Sequence, residues 1–71
     1  MKRYSLVEVD GNEFSVIGYV TSALKETGIS ELCTQYYNEA TSGDYSNLIA
    51  VSCEYLDKAN EAYKEKYDEV K

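Results

Sequence analysis

The chain has 71 residues, a net charge of −6, and neither histidine nor proline. That describes one small domain, residues 1–71, of ordered, helix-permissive composition. Its acidity disfavours direct contact with nucleic acid or an anionic membrane, and the missing histidine removes the imidazole base of triad chemistry.

The amino-terminal run Arg3–Val9, "RYSLVEV", reads as a short β-strand with Val7 and Val9 on its clearer apolar face. It ends at Asp10-Gly11, a strong turn signal. Asp10, Asn12 and Glu13 resemble the start of a calcium loop, but the remaining ligand positions are missing, so they read as turn and cap residues.

Beyond the turn the sequence allows two readings. In one, "EFSVIGYV" (13–20) is the second strand of a β-hairpin. In the other, Asn12 caps a helix with Glu13 at its positive end. Its apolar stripe would be Phe14, Ile17, Val20, Thr21 and Leu24, flanked by Val16 and Ala23, and it would stop at Gly28. The helix is favoured because the apolar spacing runs on to that stop. With a helix here, the strand has no second strand to pair with, and a lone strand is unstable. It would then have to pair with its copy in a homodimer or with a partner's sheet edge.

A second helix is expected from Ser30 as cap, with Ile29, Leu32, Cys33, Tyr36, Tyr37 and Ala40 on one face. "TSGDY" (41–45) then breaks the chain, with Gly43 expected in a left-handed conformation and Asp44 capping the third helix. That helix is long. Its stripe of Tyr45, Leu48, Ile49, Ser52, Leu56, Ala59, Tyr63, Tyr67 and Val70 would extend roughly 39 Å, against roughly 18 Å for the second helix. Its last turns are expected to outrun the core and to seek a second subunit or a partner. The fold class is therefore mostly α: a short N-terminal strand, or a hairpin, followed by three helices.

Chemistry is sparse. Cys33 and Cys53 are too few for a disulfide scaffold and match no zinc spacing. No phosphate-binding glycine loop is present. No enzyme activity, cofactor or metal is expected. No run approaches the ~18 apolar residues of a membrane span, and no signal segment is visible. The expected location is the cytoplasm, with reduced thiols.

The candidate contact residues are acidic and aromatic. Glu54, Asp57, Glu61, Glu65 and Asp68 recur every three or four positions, forming one ridge opposite the apolar stripe of the third helix. Such a ridge suits a partner protein with a basic surface. Tyr19 and Tyr55 lie off the main stripes, and Tyr63 and Tyr67 lie on the projecting turns. Tyrosine gives large contact area at low entropic cost.

"DGNEFSVIGYV" at 10–20, the Gly28 break and "ATSGDYSNLI" at 40–49 together resemble a group of small, functionally uncharacterised bacteriophage and prophage proteins. Those proteins share a Gly-Asn-x-Phe helix start and a Ser-Gly-Asp-Tyr interhelix turn. The resemblance covers roughly residues 4–58. It implies an accessory product that works in the host bacterial cell by binding, in the manner of a stoichiometric inhibitor. The function expected from ridge and resemblance together is inhibition of a nucleic-acid-binding host defence protein. The alternatives are an oligomeric binder of a nucleotide signal, with tyrosines stacking on the base, and a structural or adaptor phage protein.

Overall fold

The computed structural model describes residues 3–7 and 9–67. The chain forms helix α1 (Glu13–Glu26), a 3₁₀ turn (Ser30–Leu32), helix α2 (Cys33–Ala40) and helix α3 (Tyr45–Tyr67). All three helices touch one another. α1 starts beside the start of α3, with Glu13 near Tyr45, and ends near Asn60, joined to it through Tyr4. The two therefore run in the same direction, and α2 runs back from Leu32, beside the outer half of α3, to Ala40, near Leu48. At 1.5 Å per residue α3 is roughly 35 Å long, so only the 42 Å axis of the 42 × 24 × 15 Å molecule can hold it.

Helix punctuation follows the side chains. The Asn12 side chain accepts from the backbone N–H groups of Phe14 (2.8 Å) and Ser15 (3.2 Å), opening α1. This settles the question left by Asp10-Gly11: a helix follows the turn, and there is no hairpin. Gly28, at φ 84°, closes α1. The Ile29 N–H reaches the Leu24 carbonyl and the Gly28 N–H reaches the Lys25 carbonyl, which is the Schellman arrangement with its left-handed glycine.

The second stop works differently from the expectation. Among the described residues Gly28 alone has a positive φ, so Gly43 is not left-handed. Its value is closeness: a Cβ there would lie 2.9 Å from the Asn47 Cβ. Asn47 serves both helices at that corner. Its backbone N–H donates to Asp44 Oδ1 (3.0 Å), and its amide Nδ2 donates to the Glu39 carbonyl (2.9 Å) at the end of α2. Ser30 caps nothing, because the chain leaving the Schellman turn tightens directly into the 3₁₀ turn. α2 is accordingly only eight residues long.

The core is Val16, Val20, Ala23 and Leu24 of α1, Tyr36 and Ala40 of α2, and Leu48, Tyr55, Leu56 and Ala59 of α3, with Tyr4 at its edge. Phe14, expected on the buried stripe, is 85% exposed. At 100° per residue it lies more than a right angle from the face centred on Val16, Val20 and Ala23. In α3 the seam is Leu48, Ser52, Tyr55 and Ala59, a four-three-four spacing that takes in Tyr55. Ser52 is polar at the centre of that seam because the Tyr36 hydroxyl shares a 2.7 Å hydrogen bond with its Oγ. Burial pushes the Tyr36 hydroxyl pKa above its usual 10.0, and the Ser52 bond offsets part of that.

No strand forms among the described residues of the amino-terminal segment. Several of its backbone groups are satisfied within the chain, the Ser5 N–H by the Tyr19 hydroxyl and the Val9 N–H by the Leu6 carbonyl. The Tyr4 N–H donates to Asn60 Oδ1 (2.7 Å), and Asn60 Nδ2 donates back to the Tyr4 carbonyl (2.9 Å). One side-chain amide thus supplies the donor and acceptor that a neighbouring strand would have offered. The Tyr4 ring stands edge-on to Tyr19 (6.3 Å) and Tyr63 (6.2 Å), and its hydroxyl donates to Glu26 Oε1 (2.6 Å). At the other end the Tyr45 hydroxyl donates to the Gly11 carbonyl (2.6 Å). Residues 4–7 and 9–11 therefore run back along α3 from Asn60 to Tyr45, past roughly 22 Å of helix, as a strap. The strand expectation is corrected for the described residues, and the expected pairing with a second copy loses the unsatisfied Tyr4 backbone that would have supported it.

Candidate functional site

The acidic residues of α3 meet the corner between α1 and α2. Gly28 folds the chain so that Ile29 and then Leu32 come against the outer half of α3, both half-buried. α2 leads away from that corner toward the start of α3, so among the described residues Ile29 and Leu32 line this flank of the outer turns. The opposite flank is covered by the strap.

The result is an open groove of about 520 Å³, lined by Ile29, Leu32 and Ala62 and by Glu54, Asp57, Lys58, Glu61 and Glu65. The three apolar residues are half-buried and form a floor, while the charged ones are exposed. Four carboxylates against one lysine give the groove a negative field, strengthened by its low-dielectric floor. The ammonium of Lys58 lies 5.9 Å from the centre of the Tyr55 ring, within reach of a weak cation–π attraction.

The sequence-expected contact residues divide. Glu54, Asp57, Glu61 and Glu65 come together along the groove. Tyr19 and Tyr63 do not join them. They flank Tyr4 on the strap side, where the Tyr19 hydroxyl also accepts from the Ser5 N–H (3.1 Å). Tyr55 is not a surface residue: it is 1% exposed, its ring packs on Tyr36 (5.3 Å), and its hydroxyl accepts from Gln35 Nε2 (2.8 Å). Burial raises its pKa above 10.0, with the Gln35 bond opposing and Glu39 and Glu54 adding to the shift. Asp68 lies outside the described residues, as does the Tyr67 side chain.

Sequence reasoning has no hold on two features. The spacing of Ile29 and Leu32 assigns them to core packing, and only the Gly28 reversal turns part of each toward the groove. Asn60 is a lone amide on a helix flank, and nothing local marks it as the partner of a residue 56 positions away.

Among the described residues no group of three or more histidine, cysteine, aspartate or glutamate side chains could hold a metal ion. None of the described helices is long and apolar enough to cross a membrane. Cys33 is half-buried with its Sγ 3.7 Å from the Thr21 carbonyl, and Cys53 is exposed. Comparison with protein-family models, curated proteins and solved structures found no match.

Proposed function

We propose that this chain works by stoichiometric binding, using the acidic groove of α3 to occlude a basic surface on another protein. The observation that carries the reading is the groove itself, an apolar floor with four carboxylates along it. A basic patch that meets nucleic acid is the surface this charge arrangement complements. With the resemblance to small phage proteins, the reading becomes inhibition of a nucleic-acid-binding defence component in the bacterial cytoplasm. The chain acts here as one unit per partner. The nucleotide-signal alternative is less favoured because Lys2, Arg3 and Lys25 are the only basic residues outside α3 and the segment after it to hold a phosphate, although Tyr37 and Tyr45 remain exposed for stacking.

The test is capture from a bacterial lysate followed by titration. The captured protein should lose its nucleic-acid binding at one equivalent of this chain. The complex should weaken as salt rises from about 50 to about 300 mM, because the Debye length shortens and screens the opposed charges. Reversing charge at Asp57→Lys with Glu61→Lys should abolish capture, while Asp10→Lys with Glu13→Lys, matched in charge and outside the groove, should not. Capture that ignores both salt and the groove reversal would sink the reading.

A further inference from the structure

We infer that the element entering this groove is an amphipathic helix with a basic flank. The inference rests on the binding reading above and specifies the partner's chemistry.

Length comes first. Glu54 and Glu65 bound the charged wall, eleven residues apart on one helix, roughly 16 Å or about three turns. A partner helix of the same length presents apolar residues at i, i+3 or i+4, and i+7 along one stripe. The floor is a short apolar row of matching character, Ile29, Leu32 and Ala62. Ala62 is small, so it leaves room for a large aliphatic side chain from the partner to come close to α3.

Charge comes second. Glu54, Asp57, Glu61 and Glu65 repeat every three or four residues, the spacing at which lysines or arginines recur beside the apolar stripe of a facing helix. An isolated basic side chain would find the carboxylates and leave the floor bare. A purely apolar helix would cover the floor and leave the carboxylates partly desolvated, which is costly. Only a segment carrying both satisfies both.

The other occupants fit less well. An extended peptide gains affinity by adding to a sheet edge, and this groove is bounded by α3 and a 3₁₀ turn, with no strand among the described residues to extend. A second copy would bring the same acidic wall and another net charge of −6, so its approach is opposed.

The probe is a synthetic, lactam-constrained helical peptide of about 14 residues, with leucines at i, i+4 and i+7 and lysines or arginines flanking them. Its control has the same composition with the leucines scattered, so that no apolar face forms. Fluorescence anisotropy should show the patterned peptide binding at least about tenfold more tightly than the scattered one. Amide shifts should concentrate at Ile29, Leu32 and Ala62. Asp57→Lys with Glu61→Lys should weaken binding by about tenfold or more, and Asp10→Lys with Glu13→Lys should not.

Equal binding of the two peptides would overturn the inference, because charge alone would then suffice. So would shifts centred elsewhere, or sedimentation showing the groove closed by a second copy. If lysate capture depends on Asp57 and Glu61 while the patterned peptide fails, the helix inference falls and the binding reading stands. If capture ignores those residues, both fall.

Discussion

Asn60→Ala tests the strap most directly. The substitution removes two hydrogen bonds, one to each backbone group of Tyr4, each with a net value of about 1 kcal/mol. Alanine returns about 0.5 kcal/mol through its better helix propensity, so a loss of about 1–1.5 kcal/mol is expected. Tyr4→Ala removes the one buried side chain of residues 3–7. Burying such a ring removes about 150–250 Å² from water, an upper value of about 4–6 kcal/mol at 25 cal/mol/Å². Because the freed strap regains conformational entropy, about 3 kcal/mol is the expected net cost. A domain of this size holds roughly 4–10 kcal/mol in total, so both variants should still fold. The double variant is decisive. Once the ring is gone the strap leaves Asn60, so the second substitution should cost almost nothing more, giving a coupling of about 1–1.5 kcal/mol. Urea unfolding followed by far-UV circular dichroism measures this, with a midpoint shift of about 1 M for Asn60→Ala at an m-value near 1 kcal/mol/M. Additive costs, or a neutral Asn60→Ala, would refute the strap as the element that replaces a strand.

The same geometry sets other outcomes. Gly28→Ala places a side chain at φ 84° and should cost about 1–2 kcal/mol in the same urea assay. Gly43→Ala drives a Cβ into the Asn47 Cβ and should cost about 1–3 kcal/mol; much of that cost should persist in an Asn47→Ala background, which keeps the Cβ, and vanish in an Asn47→Gly background, which removes it. Phe14→Ser should change stability by no more than about 0.5 kcal/mol, since the ring is exposed; a loss above about 2 kcal/mol would mean that Phe14 is buried after all. At alkaline pH, Tyr36 and Tyr55 hold their protons above the ordinary 10.0. The unfolded chain releases those protons first, so the native state binds more of them and stability falls as pH rises. Their contribution is full below about pH 10 and is lost through the higher folded values. Tyrosinate absorbance followed together with circular dichroism should show these two ionising only as the helices melt.

The helices are legible in the sequence because their punctuation is local. Asn12, Gly28 and Asp44 act on backbone groups within a few residues, and type and spacing alone place each of them correctly. The faces are less legible. Reading α1 through Phe14 rotates its buried stripe by about one residue, since Val16 and Val20 offer an almost equal apolar arc and nothing in the helix itself chooses between them. Choice comes from the strap, which occupies the side of the bundle where Tyr19 and Tyr63 receive Tyr4. The strand fails for the same reason: alternation near Val7 and Val9 indicates extended backbone, but the Val9 N–H turns back to the Leu6 carbonyl, and the Tyr4 backbone is satisfied by an amide 56 positions away.

The groove combines both kinds of information. Its charged wall is readable as a three-and-four repeat along one helix. Its floor is not, because Ile29 and Leu32 carry ordinary core spacing and depend on the Gly28 reversal to reach α3. That dependence ties the site to a single turn. Replacing Gly28 should therefore act twice, lowering stability and displacing the floor while leaving Glu54, Asp57, Glu61 and Glu65 in place on α3. A Gly28→Ala protein that remains folded should bind the patterned helical peptide only about as tightly as the scattered one, through charge alone. Undiminished preference for the patterned peptide in that variant would show that Ile29 and Leu32 are not the floor that the partner reads.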